Sequence, residues 1–377
     1  MDTCDLLIVG GGPAGSSCAW ALRDSGMRVV VLDKAVFPRD KVCAGWVTPA
    51  IIEELQLDTA DYASGRVFQP FTGFLTGLIG HRGVHTDYGR PVSYGIRRCE
   101  FDTYLLHRCG AELRLGQPLK SLRPDGDGWV ANDALRARLV IGAGGHFCPV
   151  ARLVGQRDEA TDDPVVLAQE AEFEIPEADR KACPVSGERP ELYFCPDLAG
   201  YGWIVRKGNH VNIGLGREHE KNLTAHMDEF LKFLRARGRL TFDIPIPFHG
   251  HAYRLRRYAA PVETPPGVLL IGDAAGLAYP QSGEGIRPAI ESGLMAAQLI
   301  RERGLPAAAD LAVDLRRRYA ARFGPGAKRP AWTPPLATLL RHQAAGWLLR
   351  TRWFNRRVLL DRWFLHAHQP ALVTSGA

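Results

Sequence analysis

Length, composition and charge place the chain among ordinary globular proteins. Its 377 residues exceed what one small core needs and predict two or three structural units. Apolar residues make up 46% of the chain and charged residues 23%, so we expect a large core that needs no metal or disulfide to fold. The net charge of +6 is too mild to indicate a nucleic-acid-binding protein.

The cysteines and the N-terminus indicate a cytoplasmic protein. Eight cysteines show neither a C-x-x-C pair nor metal-ligand spacing, so we expect reduced thiols and no metal site. The N-terminal apolar run is about five residues long and has no basic segment before it, which predicts a core strand and not a signal peptide. No stretch approaches the roughly 18 apolar residues that a membrane span requires.

The first element predicts a dinucleotide site. An apolar strand, Asp5 to Val9, runs into a glycine-rich turn and then into a helix, Ser16 to Leu22. Glycines in this turn permit the bend, the close approach of a pyrophosphate and the packing of helix on strand. A second strand, Arg28 to Leu32, ends at Asp33, whose carboxylate is placed to accept hydrogen bonds from a ribose. A glycine turn without a nucleotide is the alternative.

A basic loop, Lys34 to Trp46, comes next and contains Cys43. We expect a helix from Pro49 to about Leu55 after it, with Thr48 as its N-cap. Reactive cysteines often lie at the start of a helix, so this position favours a functional role for Cys43. The alternative interpretation makes Cys43 a small buried packing residue.

Further strands and helices alternate along the rest of the chain. The predicted strands lie within Phe68–Ile96, Ala111–Leu115, Leu139–Gly145, Val165–Phe173, Leu192–Cys195, Tyr201–Val205, Val211–Leu215 and Val268–Ile271, with a meander around Pro124–Gly128. One predicted helix begins at Arg98, a second spans Thr224–Arg237, and a third runs from Glu284 to Ile300. Residues 308–377 are also predicted to be helical, and this segment contains arginines together with Trp332, Trp347, Trp353 and Trp363.

Asp273 comes directly after the last predicted strand. A carboxylate at a strand's end is costly to bury unless it meets a ligand or a helix N-terminus. We therefore expect Asp273 to bind a sugar-alcohol chain, and an N-cap of the next helix is the alternative.

These patterns predict an α/β chain in three parts. A discontinuous nucleotide-binding domain comprises residues 1–67, 97–150 and 261–307. A β-rich substrate domain comprises residues 68–96 and 151–260, and a C-terminal helical segment comprises residues 308–377.

Three separated motifs together resemble the FAD-binding architecture of para-hydroxybenzoate hydroxylase-like flavoproteins. They are Gly10–Gly15 with Asp33, Ile141–Gly145, and Ile271–Gly276. Within that class the chain resembles the geranylgeranyl reductase family over roughly residues 1 to 300. The stretches that carry this likeness are Arg39–Gly45, Arg98–Asp102, Tyr201–Gly208, Val211–Gly214 and Tyr279–Ile286.

The resemblance implies an α/β fold in which a Rossmann-like FAD-binding domain carries an inserted antiparallel β-sheet substrate domain and a C-terminal helical segment. It implies that FAD contacts the turn, Arg98, the two aspartates and the loop at residues 280–285. The implied FAD-binding residues are Gly10, Gly12, Pro13, Ala14, Gly15, Asp33, Lys34, Arg39, Cys43, Ala44, Arg98, Gly142, Ala143, Gly144, Gly272, Asp273, Gly283, Gly285 and Ile286. The substrate residues are Tyr193, Trp203, Tyr279 and Pro280, with Cys43 as the catalytic residue.

Two departures from the family pattern are present. Ala143-Gly144-Gly145 stands where many relatives have Ala-Asp-Gly, which disfavours an NADPH-using aromatic hydroxylase. Ala44 replaces the first glycine of Cys-Gly-Gly, and because alanine needs a negative φ we expect a modified loop geometry.

The resemblance implies a reductase that transfers hydride from reduced flavin to carbon–carbon double bonds of an isoprenoid or another apolar substrate. The alternatives are a flavin monooxygenase or halogenase of a secondary metabolite, and an electron-transfer flavoprotein that reduces a quinone. The electron donor, NAD(P)H or a reduced protein, is open. The C-terminal arginines and tryptophans favour either a helical lid or peripheral contact with an anionic membrane.

Overall fold

The computed structural model describes residues 1–155, 165–218, 222–256, 263–305, 308–324 and 344–372. Within these ranges the strands are β1 (Asp2–Val9), β2 (Val29–Leu32), β3 (Trp46–Val47), β4 (Phe68–Phe71), β5 (Gly73–Leu78), β6 (Val84–Asp87), β7 (Ser93–Ile96), β8 (Glu112–Arg114), β9 (Leu122–Asp125), β10 (Gly128–Ala131), β11 (Leu135–Gly142), β12 (Val166–Glu174), β13 (Glu191–Phe194), β14 (Gly200–Lys207), β15 (His210–Glu218), β16 (His249–Tyr253) and β17 (Val268–Leu270).

The α-helices are α1 (Pro13–Leu22), α2 (Pro49–Glu54), α3 (Thr59–Ala63), α4 (Arg98–His107), α5 (Pro149–Leu153), α6 (Leu223–Ala236), α7 (Ile286–Arg303) and α8 (Ala308–Phe323). Short 3-10 helices occupy Gly145–Phe147, Glu177–Asp179 and Gly272–Ala275. The mixed α/β class predicted from the sequence is confirmed.

The first sheet has the strand order β8-β2-β1-β11, and all these pairs are parallel. Two elements share the far edge of β11. The antiparallel β10–β9 hairpin pairs with its first half, and β17 pairs in parallel with its second half, where Gly142 lies opposite Leu270. All four β2 residues are buried, as their apolar run predicts for a parallel strand covered on both faces. This arrangement brings the carboxyl ends of β1, β11 and β17 together.

Helices α1 and α7 pack against each other beside these strand ends. Both are largely buried, and α7 crosses α1 at Gly293. A Cβ atom on Gly293 would lie 2.3 Å from the carbonyl oxygen of Ala14, so a larger residue cannot be accommodated without moving a helix. The contact fixes α7, and with it the loop that precedes α7, relative to the turn before α1.

The second sheet has the order β16-β12-β15-β14-β13-β5-β6. Its pairs are antiparallel, with one exception, because β13 pairs in parallel with β5. Successive side chains along each strand point to opposite faces of the sheet. One face packs against α6, whose buried residues include Phe230 and Leu234. The other face, with Trp203 and Ala168, is directed toward the first sheet.

The strands predicted within residues 68–96 divide between two sheets. β5 and β6 join the second sheet, whereas β4 and β7 form a small antiparallel sheet with β3. The two-residue strand β3 has too little sequence for a pattern to reveal it. The small sheet lies directly after the Cys43 loop and joins the two larger layers.

The C-terminal segment folds over the chain's own flank. Residues 344–348 are helical, and a short helix at Arg352–Phe354 continues into a π-helix at Asn355–Phe364. Phe364 packs its ring 5.4 Å from that of Tyr201, and the Tyr88 hydroxyl donates to Asp361 Oδ1 at 2.7 Å. Trp332, which the helical prediction included, lies outside the described residues. Within the described ranges, no helix is both long enough and apolar enough to cross a bilayer.

A buried ionic cluster holds the chain after this segment. Arg287 donates to Glu291 Oε1 at 2.7 Å and to the carbonyl oxygen of Pro370 at 2.9 Å. Arg322 also contacts Glu291, at 2.6 Å, and Glu54 accepts a hydrogen bond from the backbone of Leu372. Burial, together with the charge of Glu291, raises the pKa of Glu54 well above its usual value. The cluster thereby ties α2, α7 and α8 to residues 369–372.

We predict that Gly293→Val destabilises the protein by about 1–3 kcal/mol, because the added side chain forces α7 away from α1. Urea unfolding followed by circular dichroism measures this. Gly250→Val is the matched control, since Gly250 is exposed in β16 and a Cβ there meets no atom within 4 Å. Equal stability of the two variants would contradict the proposed helix contact.

Candidate active site

A cavity of about 630 Å³ lies between the two large sheets, at the carboxyl ends of β1 and β11. The first sheet contributes the turns after these strands, and the second contributes Ala168, Tyr201, Trp203, His251 and Tyr253. Large pockets at this edge of a parallel sheet are the usual position of ligand sites in α/β proteins.

One end of the cavity is built by the turn between β1 and α1. Gly10 has φ +117°, and a Cβ there would lie 2.4 Å from the carbonyl oxygen of Ala143, so the two strand ends meet only through glycine. Helix α1 has Gly12 as its N-cap and no side chain capping its first turn, which leaves its amides directed at the cavity. Asp33 accepts hydrogen bonds from the amides of Gly11, at 2.7 Å, and Ala35, at 2.8 Å.

Cationic side chains lie beside this turn. Arg98 is buried and forms two 2.8 Å hydrogen bonds with Asp102, and Arg39 lies 3.3 Å from the same carboxylate. Burial, with the charge of Arg98 added, lowers the pKa of Lys41 to about 8. Burial, assisted by the positive charge of Lys41, lowers the pKa of His251 to about 3, so its ring is neutral at physiological pH. The local excess of positive charge suits an anionic ligand.

The other end of the cavity is the loop before α7. Gly283, Glu284, Gly285 and Ile286 line it, and a Cβ on Gly285 would lie 3.1 Å from Asp273 Oδ1. Burial raises the pKa of Glu284 to about 7, although its carboxylate accepts a hydrogen bond from the amide of Arg287 at 2.7 Å.

Tyr201 fastens the loop before α7 to the second sheet, since its hydroxyl donates to the carbonyl oxygen of Ser282 at 2.6 Å. Asp273 lies inside the short 3-10 helix Gly272–Ala275, whose N-cap is Ile271, and the N-cap of the following helix α7 is Gly285. The alternative role of Asp273 as an N-cap is therefore wrong.

The Cys43 loop forms a third wall. Cys43, Ala44, Gly45 and Trp46 line the cavity on the side of the second sheet. The left-handed conformation in this loop falls on Gly45, with φ +70°, and not on Ala44. The replacement of glycine by Ala44 is thus accommodated without a positive φ at that position.

Most of the predicted site residues come together in this one cavity. Those that line it are Gly10, Gly12, Pro13, Ala14, Asp33, Lys34, Arg39, Cys43, Ala44, Arg98, Ala143, Gly144, Trp203, Asp273, Gly283, Gly285 and Ile286. Three predicted glycines, Gly15, Gly142 and Gly272, are not lining residues and instead permit close packing behind the wall.

Three predicted substrate residues lie elsewhere. The Tyr193 side chain is on the opposite face of its sheet, where it packs 5.0 Å from Phe233 in α6, because alternation along β13 directs it away from the cavity. Tyr279 is turned toward the C-terminal segment, stacking 3.7 Å from His366 and donating to Gln369 Oε1 at 2.9 Å. Pro280, next to it, also does not line the cavity.

The sequence prediction missed several lining residues. His251 and Tyr253 share one face of β16, a strand absent from the prediction although its alternate large side chains signal one. Glu284 lies inside a family motif that gave it no role. Among the described residues, no cluster of histidine, cysteine and acidic side chains could hold a metal ion.

Comparison with known proteins identifies the family. A family model described as an FAD binding domain matches residues 3–302. The chain is 28% identical over 325 residues to the digeranylgeranylglycerophospholipid reductase of Methanocaldococcus jannaschii, covering 79% of this chain and 77% of that one. It is 30% identical over 325 residues to the geranylgeranyl diphosphate reductase of Rhodobacter capsulatus, covering 78% and 74%.

A solved structure shows the same fold. The geranylgeranyl bacteriochlorophyll reductase-like protein of Thermoplasma acidophilum superimposes with a TM-score of 0.72 at 22% identity, covering 100% of this chain and 94% of that one. The chain therefore belongs to the FAD-binding-domain family, as an FAD-dependent oxidoreductase of the geranylgeranyl reductase group.

Proposed function

We propose that FAD lies along the cavity from the turn at Gly10 to the loop before α7. The donor set supports this fit, because uncapped amides of α1 and the cations Arg39 and Arg98 suit a pyrophosphate. A Cβ on Gly12 would lie 3.3 Å from Arg39 Nη2, so a larger residue would fill the cradle between them. Asp33 and Asp273 would hold ribose and ribityl hydroxyls at opposite ends.

We infer that the enzyme reduces carbon–carbon double bonds of an isoprenoid or a similarly apolar substrate. The observation that carries this is the meeting of Cys43 and Trp203 with the nucleotide-binding turns in one cavity. FAD, when bound and reduced, supplies a hydride. The Cys43 Sγ holds the proton that the second alkene carbon needs, while the rings of Trp46, Tyr201 and Trp203 bind and orient the apolar chain.

Exclusion of water is provided by the C-terminal segment. Phe364 packs on Trp46, with ring centres 6.1 Å apart, as well as on Tyr201. The segment therefore covers two aromatic residues of the cavity wall from outside. An alkene that resists hydride addition requires such a dry site.

The decisive test of the reductase is anaerobic. We expect dithionite-reduced, FAD-loaded enzyme to be reoxidised by geranylgeranyl diphosphate or a geranylgeranyl lipid, with a mass gain of two per reduced bond. Product that appears only after air enters, with added oxygen or halide, would establish the monooxygenase or halogenase instead. Fast oxidation by a quinone with no reduced alkene would establish electron transfer.

We predict that Cys43→Ser lowers the rate of alkene reduction by about 100-fold or more, since positioned proton donors contribute that much. Flavin reduction by dithionite and its reoxidation by ferricyanide should stay unchanged. Cys99→Ser is the control, because Cys99 is half-buried on α4 and does not line the cavity. Full alkene reduction by Cys43→Ser would remove Cys43 from the mechanism.

We predict that Arg39→Gln raises the Kd for FAD about tenfold, the loss expected for one charge-assisted hydrogen bond. Asp102 stays neutralised by Arg98 in this variant. Titration by flavin fluorescence measures the change. Arg138→Gln serves as the control, since Arg138 is 43% exposed in β11 and pairs with Asp5 outside the cavity. Equal affinities for the two variants would show that Arg39 does not contact FAD.

We also propose that the C-terminal segment contacts an anionic membrane surface, which suits a lipid-like substrate. Trp347 and Trp353 are each 67% exposed. The exposed Arg350, Arg352 and Arg357 lie near them in sequence, and Asp361 is the single acid in residues 344–372. Exposed tryptophan beside arginine is the composition that binds the interface of anionic bilayers.

We predict that the wild-type protein co-sediments with phosphatidylglycerol-containing vesicles and not with pure phosphatidylcholine vesicles. Trp347→Ala/Trp353→Ala should lower the bound fraction about tenfold or more, because both rings leave the interface. Val36→Ala, at an equally exposed apolar position with 67% exposure, should bind like the wild type. Unchanged binding of the double variant would place the membrane contact elsewhere.

A further inference from the structure

The loop that carries Cys43 is held by two buried polar side chains of the second sheet. Asn212, on β15, donates from Nδ2 to the carbonyl oxygen of Cys43 at 3.1 Å. Lys207, at the end of β14, donates from Nζ to the carbonyl oxygen of Ala44 at 3.0 Å. Both residues are 0% exposed. Two successive carbonyl groups of the cavity wall are therefore held by one hairpin of the opposite layer.

Asn212 connects this loop to Trp203. The Trp203 indole donates to Asn212 Oδ1 at 2.6 Å, and Asn212 Nδ2 donates to Glu170 Oε2 at 3.1 Å as well as to Cys43. An indole nitrogen only donates and a carbonyl oxygen only accepts, so these partners fix which way the amide points. Burial raises the pKa of Glu170 to about 7, and the hydrogen bond from Asn212 opposes that rise.

Lys207 makes the second of the two contacts that hold the Cys43 loop. It pairs with Glu172 and donates to the carbonyl oxygen of Ile96 at 2.9 Å, so its buried charge is compensated. The chain leaves room for it at Gly45, where a Cβ would lie 2.8 Å from Lys207 Nζ and 2.4 Å from the Ile96 carbonyl oxygen. The glycine after Ala44 thus serves the lysine contact.

We propose that Asn212 and Lys207 are positioning residues that fix the Cys43 loop relative to Trp203 in the cavity wall. Two apolar side chains would stabilise the contact between the loop and the second sheet at a lower free-energy cost, because every buried polar group needs a hydrogen-bond partner. What the polar pair provides is a fixed direction, since hydrogen bonds define where each carbonyl group lies. The catalytic importance of Cys43 rests on the proposed function, whereas its placement can be tested by thiol chemistry alone.

The test uses FAD-loaded protein, iodoacetamide and mass spectrometry of the Cys43 and Cys99 peptides. Asn212→Asp replaces the amide donor with an oxygen that faces the Cys43 carbonyl and Glu170. We expect Cys43 alkylation to accelerate about fivefold or more, the opening expected when a buried hydrogen bond is lost, while the Cys99 rate stays constant. Asn209→Asp, in the exposed turn of the same hairpin, makes the same chemical change and should alter neither rate.

Activity gives a separate readout. With a geranylgeranyl substrate, Asn212→Asp should lower kcat about tenfold or more with less than about a threefold change in KM, because binding surface is retained. Unchanged Cys43 alkylation would overturn the proposal, and so would equal acceleration of Cys43 and Cys99, which indicates loosening of the whole fold. Faster Cys43 alkylation in Asn212→Asp, combined with a wild-type enzyme that reduces no alkene, would support the placement and refute the proposed function.

Glu170→Gln keeps the experiment decisive if Asn212→Asp does not fold. It preserves side-chain size and, when alkylation is run at a pH above the raised pKa of Glu170, replaces a charged acceptor of Asn212 with a neutral one. We expect Cys43 alkylation to accelerate about twofold to threefold, since a neutral acceptor holds the amide less strongly. An unchanged Cys43 rate would overturn the role of Asn212.

Discussion

The approach of two backbone segments at Gly10 and Ala143 is the constraint on which the cavity depends. Parallel pairing of β1 with β11 brings both strand ends to one edge, and the missing side chain at Gly10 lets the adjoining turns meet. Helix α1 then starts at that edge, and α7 is held against α1 through Gly293. These backbone contacts therefore fix the positions of both ends of the site, which are the turn at Gly12 and the loop at Gly285.

The nucleotide half of the fold could be predicted from the sequence because its signals are local. A strand, a glycine turn and a helix succeed each other within about twenty residues. The hydrophobic runs predict the buried parts of β1, β2 and β11, which are Leu6–Val9, Val29–Leu32 and Leu139–Gly142. The glycine-rich turns after β1 and β11 line the cavity as a consequence. The start of α4 at Arg98 and the extent of α7, expected from Glu284 to Ile300 and observed from Ile286 to Arg303, are likewise predicted from the sequence.

The second sheet and its surroundings are harder to predict because alternation reveals the two faces of a strand but not what covers each one. The sequence prediction places Tyr193 in the cavity, yet α6 covers its face of β13 and Trp203 lies on the other side. It also places Tyr279 there, and the C-terminal segment covers that ring through contacts about 90 residues away in sequence. The Asn212 and Lys207 contacts with the Cys43 loop span more than 160 residues, and no local pattern specifies such pairs.

The order of the strands along the chain has a consequence for biosynthesis. β1 is made first, but β11 completes its pairing only once Gly142 has been synthesised, and the lining of the cavity extends from Val9 to Ala289. At typical translation rates of 5–20 residues per second, those 280 residues take roughly 15–60 s to make. Non-local pairing of this kind also folds slowly. With FAD in the proposed site, capture of the cofactor is therefore a late event, because a nascent chain that ends before α7 lacks one end of the cavity.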